Sequence, residues 1–224
     1  MIMLIVGSIA AVGVAVVVRL VAWLGWVRGL VVGAASASTV VVGYLRMVKP
    51  WHLRWGATDA EVARAMPGDE LIPQAGSSTR GITISAAPAD VWPWLVQIGY
   101  GKAGWYSYDW IDNDFRRSAD RIVPEHQRLE PGDKILMMPT MGFVVQAVDP
   151  PHSIVSVLED GSISWCLAQY PLDGGRTRLV SRWRPRLERS PATIVLTALA
   201  EPGTFIMEQK MLRTIRDRVE AAGP

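Results

Sequence analysis

The sequence predicts an α+β layer fold, a curved antiparallel sheet laid against a long C-terminal helix. Three observations carry this expectation. An alternating stretch, "TRGITISA", is followed at once by a segment with helical spacing. A run of strand-like stretches separated by turn signals then extends from 133 to 185. Finally, Met207, Met211, Ile215 and Val219 recur every four residues, with Phe205 and Leu212 beside them, as on the apolar face of an amphipathic helix. One strand, a helix, a meander and a last helix are the order of an α+β domain.

The N-terminal region stands apart. Residues 2–18 and 29–45 carry no charge, and each run is about 17 residues, the lower limit for crossing a bilayer. Between them "RLVAWLGWVR" supplies Trp and Arg, residues suited to the headgroup level. The reading is a transmembrane helical hairpin of two short apolar helices over 1–50. Small residues from Gly33 to Ser38 give the second span a close-packing face. A signal peptide is the rival, since "ASA" at 35–37 resembles a cleavage site. Against it, the first residues are not basic, and Arg19 and Arg28 interrupt the apolar stretch. Arg46, Lys49 and Arg54 follow the second run, which favours a cell-membrane protein with its C-terminal domain in the cytoplasm.

Residues 51–77 read as a linker containing a short helix. Thr58 and Glu61 in "TDAE" fit a capping box, and Pro67–Gly68 ends the helix. His52 reads as an interfacial or linker residue. The main domain covers 78–224. In its first strand Ile82 and Ile84 share a face. "PADVWPWLVQIG" then places Pro88 in a first helical turn and Val91, Leu95 and Ile98 at helical spacing, with a kink expected at Pro93. The strands that follow are "DKILMMP", "GFVVQAVD", "SIVSVLE", "SISWCLAQY" and "TRLVSRWRP". "DPPH", "DGS" and "DGG" mark turns among them. The last helical section starts at Ser190–Pro191, and "EPG" at 201–203 is expected to break it. Glu208 is placed off its apolar face.

Composition narrows the function. The chain has 224 residues and a net charge of +2, which gives no basic footprint for nucleic acid. Its single cysteine, Cys166, excludes an internal disulfide and reads as a buried strand residue. No Cys/His cluster has metal-ligand spacing, no glycine-rich phosphate loop opens a helix, and no cofactor is implied. Arg176, Arg178, Arg182, Arg184 and Arg186 fall on one strand face, either as a solvent face or as a surface for anionic headgroups.

The stretches "RGITISAAPADVWPWLVQIGYGKAGWYSYDWIDN", "SADRIVPEHQRLEPGDKI", "WHLRWGATDAEVARAMPGDEL" and "EPGTFIMEQKMLRTIRDR" together resemble the SRPBCC superfamily, in particular an actinobacterial subgroup, over residues 51–222. That superfamily includes START-type lipid-transfer domains, plant pathogenesis-related allergens and polyketide cyclases. The resemblance implies a helix-grip (START-like) fold with a hydrophobic pocket, and leaves binding, transport and catalysis open.

The sharpest local feature is "GYGKAGWYSYDWIDN", from Gly99 to Asn113. Trp105, Tyr106, Tyr108 and Trp110 are expected to line or cover the pocket, with core packing as the alternative. Trp94, Phe143, Trp165, Trp183, Phe205, Met207 and Met211 are the other apolar candidates for its wall. Asp109 and Asp112 lie three apart and are weak candidates for acid–base work, because paired carboxylates divide roles only where their environments differ. They read equally as a solvated helix-start cluster. Glu125 and His126 read as surface residues. The expected function is a membrane-tethered binding or transfer protein for a hydrophobic, lipid-like or polyketide-like molecule. The alternative is a cyclase-, hydratase- or hydrolase-type enzyme that uses carboxylates or tyrosines of the same pocket.

Overall fold

The structure, a computed structural model, describes residues 12–19, 22, 23, 25–73, 76–187 and 190–223. The chain divides into two units, Met1–Trp51 and His52–Pro224.

In the first unit residues 12–19 are helical, and helix α1 spans Trp26–Gly43. Gly25, between them, adopts φ 78°. A β-carbon placed on Gly33 would stand 3.5 Å from Val17 Cγ1, so the small residue lies where the two segments approach. A π-helical turn, Tyr44–Val48, and the short helix α2, Lys49–Leu53, follow. Trp26–Leu53 as a whole is long and apolar enough to cross a membrane. The start of the first expected span, residues 1–11, lies outside the described residues.

The second unit contains the α+β domain. Six antiparallel strands form one sheet: β1 Ser78–Ile84, β2 Lys134–Met138, β3 Met141–Asp149, β4 Ser153–Leu158, β5 Ile163–Leu172 and β6 Arg176–Pro185. Their order is β1-β6-β5-β4-β3-β2, so the first strand pairs with the last and the meander fills the rest. Register shifts at Leu136/Met138 and Val145/Ala147 mark bulges, which bend strands and help the sheet curl into a half-barrel. Helix α6, Pro191–Ala222, lies against this sheet, which gives the helix-grip arrangement expected from the sequence. It runs through Pro202 without the expected break: proline removes only one amide donor, and helical residues on both sides carry the axis on.

The core lies between the inner sheet face, helix α4 (Pro88–Val96) and the C-terminal half of α6. Ile84, Val91, Leu95, Ile98, Leu179, Leu212 and Ile215 are all buried there. The period switch between β1 and α4 is legible in these positions, since Ile82 and Ile84 face inward at period two and Val91 and Leu95 at helical spacing. Pro93 sits inside α4.

The outer sheet face is also covered, and here the structure corrects one expectation. Residues 52–73, which include the expected short helix, are bound to the sheet. The β6 arginines Arg178, Arg182 and Arg184 are neither a solvent face nor a headgroup surface; they hold that segment down. Arg182, 3% exposed, donates from Nε to Thr79 Oγ1 (3.0 Å), from Nη1 to Asp69 (2.7 Å) and the Arg64 carbonyl (2.8 Å), and from Nη2 to the Glu61 carbonyl (2.6 Å). Arg178 makes a two-pronged bond to Glu61, 2.7 and 2.9 Å. Arg184 Nη2 donates to the Ile72 carbonyl at 3.0 Å. Glu61 serves twice, because it also closes the capping box with Thr58 at the start of helix α3, Asp59–Ala63. Burial opposes its ionisation, but the bonds from Arg178 and Thr58 prevail and hold its carboxyl below the ordinary value. Met66, Val155, Cys166, Ala168 and Val180 form a small second core beneath the segment. Burial, and then the Asp69 carboxylate, push the Cys166 thiol up to about 12.

Removing one partner of a buried ion pair strands the other charge. Arg182→Ala is therefore expected to cost about 3–5 kcal/mol in a urea melt of the domain, whereas Arg176→Ala, whose partner is an exposed turn carbonyl, stays within about 0.5 kcal/mol.

Candidate ligand-binding site

The aromatic stretch follows α4 as a closed loop. Gly99 and Gly104 exchange amide-to-carbonyl bonds, both 3.1 Å. Gly104 has φ 81°, and a β-carbon there would meet Ser118 Oγ at 2.3 Å, so no other residue fits. From this pinned point consecutive side chains diverge. Trp105 turns inward and donates from Nε1 to the Leu136 carbonyl at 3.0 Å. Tyr106, held at φ 57°, buries its ring in the core instead. Its hydroxyl accepts from Gln97 Nε2 (2.7 Å), and the Arg218 guanidinium lies 4.7 Å from its ring centre. Burial pushes the Tyr106 phenol up to about 12.

Between this loop, the sheet and α6 lies a cavity of about 230 Å³. Its lining comes from four places: Trp105 and Ser107 of the loop, Ile111 and Asp112 of the short helix α5 (Asp109–Asp112), Met137, Met138 and Trp183 of the sheet, and Thr204, Met207, Glu208 and Met211 of α6. A ring cluster supports the aromatic wall. Trp105 lies 5.6 Å from Trp165, and Trp165 lies 5.5 Å from both Phe143 and Trp183. Phe143 meets Trp183 edge-on at 5.2 Å.

Of the residues expected from the sequence, Trp105, Trp183, Met207, Met211 and Asp112 are on the cavity wall. Phe143 and Trp165 stand one layer behind it. Trp94 packs against Tyr106 in the core, 6.0 Å between ring centres. Phe205 is buried against His52 (5.5 Å) and Trp55 (6.4 Å), and so does not reach the cavity lining. His52, expected as an interfacial or linker residue, is buried. Tyr108 precedes α5 as its N-cap residue, and Trp110 is 44% exposed; neither is part of the lining.

The two aspartates have different environments. Asp109 accepts from the Ser118 amide at 3.1 Å and from the Ser118 hydroxyl, which ties α5 to the 118 loop. Asp112 lies on the cavity lining; both its carboxylate oxygens are buried, with the Ser107 hydroxyl beside them. Burial is the main cause that raises it to about 6; the neighbouring Ser107 hydroxyl works against this and the Asp109 charge adds to it.

Sequence reasoning missed Ser107, Ile111, Met137, Met138, Thr204 and Glu208. Glu208 had a readable signal. It lies four before Leu212 and three before Met211, within the apolar stripe of α6 rather than off it. It is buried there as the partner of Arg80. Arg80 shares a strand face with Ile82 and Ile84, the same signal on the other element. Among the described residues no group of three His, Cys, Asp or Glu side chains is placed to hold a metal ion.

No family model and no curated protein matches this chain. Similar solved structures include a polyketide cyclase-like protein of Corynebacterium glutamicum, 16% identical, with TM-score 0.40 over 67% of this chain and 95% of that one. Another is CalU16 of Micromonospora echinospora, 19% identical, TM-score 0.33, covering 67% and 89%. A third is an AHSA1-like protein of Aeromonas hydrophila, 17% identical, TM-score 0.34, covering 65% and 94%.

A carboxyl raised to about 6 stays protonated in the folded protein where the unfolded chain has already ionised. The unfolded state then binds fewer protons, and stability falls as pH climbs from about 4 through about 6. The Asp112 residue as a whole is only partly buried, so the expected loss is roughly 1 kcal/mol. Thermal melts across this range are expected to show the loss in the native protein and its absence in Asp112→Asn.

Proposed function

We propose that the protein is a membrane-tethered binding or transfer protein for a hydrophobic small molecule, which occupies the cavity between the curled sheet and α6. The observation that carries this reading is the cavity itself: about 230 Å³, walled by Trp105, Trp183, Ile111 and a set of methionines from the sheet and α6. Methionine thioethers adapt to irregular ligands. The volume is half as large again as an apolar cavity of about 150 Å³ that accepts benzene. It suits one bicyclic or medium-chain molecule. The resemblance of residues 51–222 to the SRPBCC superfamily supports the same reading.

The tether rests on α1 and its surroundings. Val27, Leu30, Val31, Val40, Val41 and Val42 are exposed on it, a surface that fits hydrocarbon better than water. The approach of Gly33 to Val17 supports a hairpin of two spans. Arg46, Lys49 and Arg54 favour a cytoplasmic domain.

A second reading, a cyclase-, hydratase- or hydrolase-type enzyme, is favoured by one observation. Asp112 combines cavity exposure with an acidity near neutral pH, as a general acid or base requires. In that case Asp112→Asn keeps ligand binding and stops turnover.

Two measurements test the main reading. Met207→Trp fills the cavity. It is expected to weaken binding of the neutral fluorescent probe N-phenyl-1-naphthylamine by at least about tenfold while the melting temperature stays within a few degrees; unchanged probe binding rejects the cavity as the site. Separately, the full chain is expected to sediment with membranes on ultracentrifugation, and a fragment starting at His52 to stay in the supernatant. Full-length protein in the supernatant rejects the tether.

A further inference from the structure

If the cavity is the binding site, as the proposed function has it, its polar atoms define the chemistry of the ligand. The wall is largely apolar; of its few polar atoms, Trp105 Nε1 and Thr204 Oγ1 are bonded within the protein, to the Leu136 and Glu201 carbonyls, and others keep open valences. These include Trp183 Nε1, Glu208 Oε1 and the Asp112 carboxylate, which has the Ser107 hydroxyl beside it and keeps further acceptor capacity. They arrive from the loop, α5, β6 and α6, and they meet on one lining. Native folds pair buried polar groups almost everywhere, so unpaired atoms gathered on one cavity mark where an outside partner supplies the missing bonds.

The roles of these atoms define that partner. Glu208 is 6% exposed, and its other oxygen is ion-paired with Arg80. The Oε1 of that carboxylate can therefore only accept. Asp112 accepts whenever it is ionised. Trp183 Nε1 can only donate, and Ser107 can do either. The site thus offers mainly acceptors and one fixed donor. A fatty acid would set a third carboxylate beside Asp112 and Glu208, and among the described residues no arginine or lysine is part of the lining to receive it. An ether would leave the acceptors unpaired. A hydroxyl donates one bond and accepts another, which complements both halves of the set.

We infer that the cavity selects an apolar molecule that carries a hydroxyl group, an alcohol or phenol, with Asp112 accepting its proton-side bond and the indole of Trp183 donating to its oxygen.

The full chain, held in amphipol, is titrated with 1-decanol, with 1-methoxynonane and with decanoate, while tryptophan emission is read against amphipol alone. The alcohol is expected to bind at least tenfold more tightly than the ether or the acid. In Asp112→Ala the alcohol-to-ether ratio is expected to collapse toward one. The neighbouring Ser107 hydroxyl leaves acceptor positions of the Asp112 carboxylate open, and a ratio taken within one protein cancels any change in cavity volume. Equal binding of the three ligands overturns the inference and leaves the binding reading standing. An alcohol preference that survives unchanged in Asp112→Ala overturns the assignment to Asp112. Binding of none of the three overturns the binding reading as well.

Discussion

The buried ion pair between Arg80 and Glu208 sets the geometry on which the rest of the domain depends. Arg80 is 3% exposed on the inner face of β1, and Glu208 faces it from α6. Such a pair carries a large desolvation penalty, which only close contact and further hydrogen bonds offset. Arg80 supplies one of these by donating from Nε to the His52 carbonyl at 2.9 Å. Its guanidinium also lies 5.3 Å from the Phe205 ring centre. One side chain therefore registers the start of the domain, the first strand and the last helix against each other. Sliding α6 by a residue would separate the charges, and the helix rotation this fixes is what turns Thr204, Met207 and Met211 toward the cavity.

A different set of arginines performs the equivalent task on the outer face. The guanidinium is suited to it because its donors lie in a rigid planar fork. Arg182 reaches a hydroxyl, a carboxylate and main-chain carbonyls at once, and those carbonyls belong to a segment with few strand or helix bonds of its own. An ammonium group could not span them. Because the segment covers the outer face, β5 and β6 are buried on both sides, and short residues such as Ala168 and Val180 pack beneath it.

The loop from Gly99 shows how a single aromatic-rich stretch serves both core and cavity. Trp105 and Tyr106 are neighbours in sequence, yet only Trp105 borders the cavity. The left-handed backbone at Tyr106 directs the second ring away. The same division separates Asp109, consumed by Ser118, from Asp112, left open to the cavity. The rigidity of this wall and the open valences of its polar atoms thus have one origin: the loop's own groups bond to Leu136 and Ser118, and the cavity-facing ones are left over.

Local chemistry alone determined most of the elements. The alternation of β1, the capping box at Thr58 and Glu61, the strand limits from Lys134 to Pro185 and the apolar stripe of α6 all depend on neighbours within a few residues, and all are present in the structure. What pairs across the fold was not legible. The β6 arginines read as a charged surface because their partners, Glu61 and Asp69, lie more than a hundred residues earlier. Periodicity marks a position as inward-facing, but it does not say whether the far wall is packed or hollow. Phe143, Trp165 and Trp183 are all inward-facing aromatics, and the choice of Trp183 alone for the lining is set by where α6 crosses the sheet. That crossing depends in turn on Arg80 and Glu208, two charges whose burial is tolerated only when both are brought to the same place.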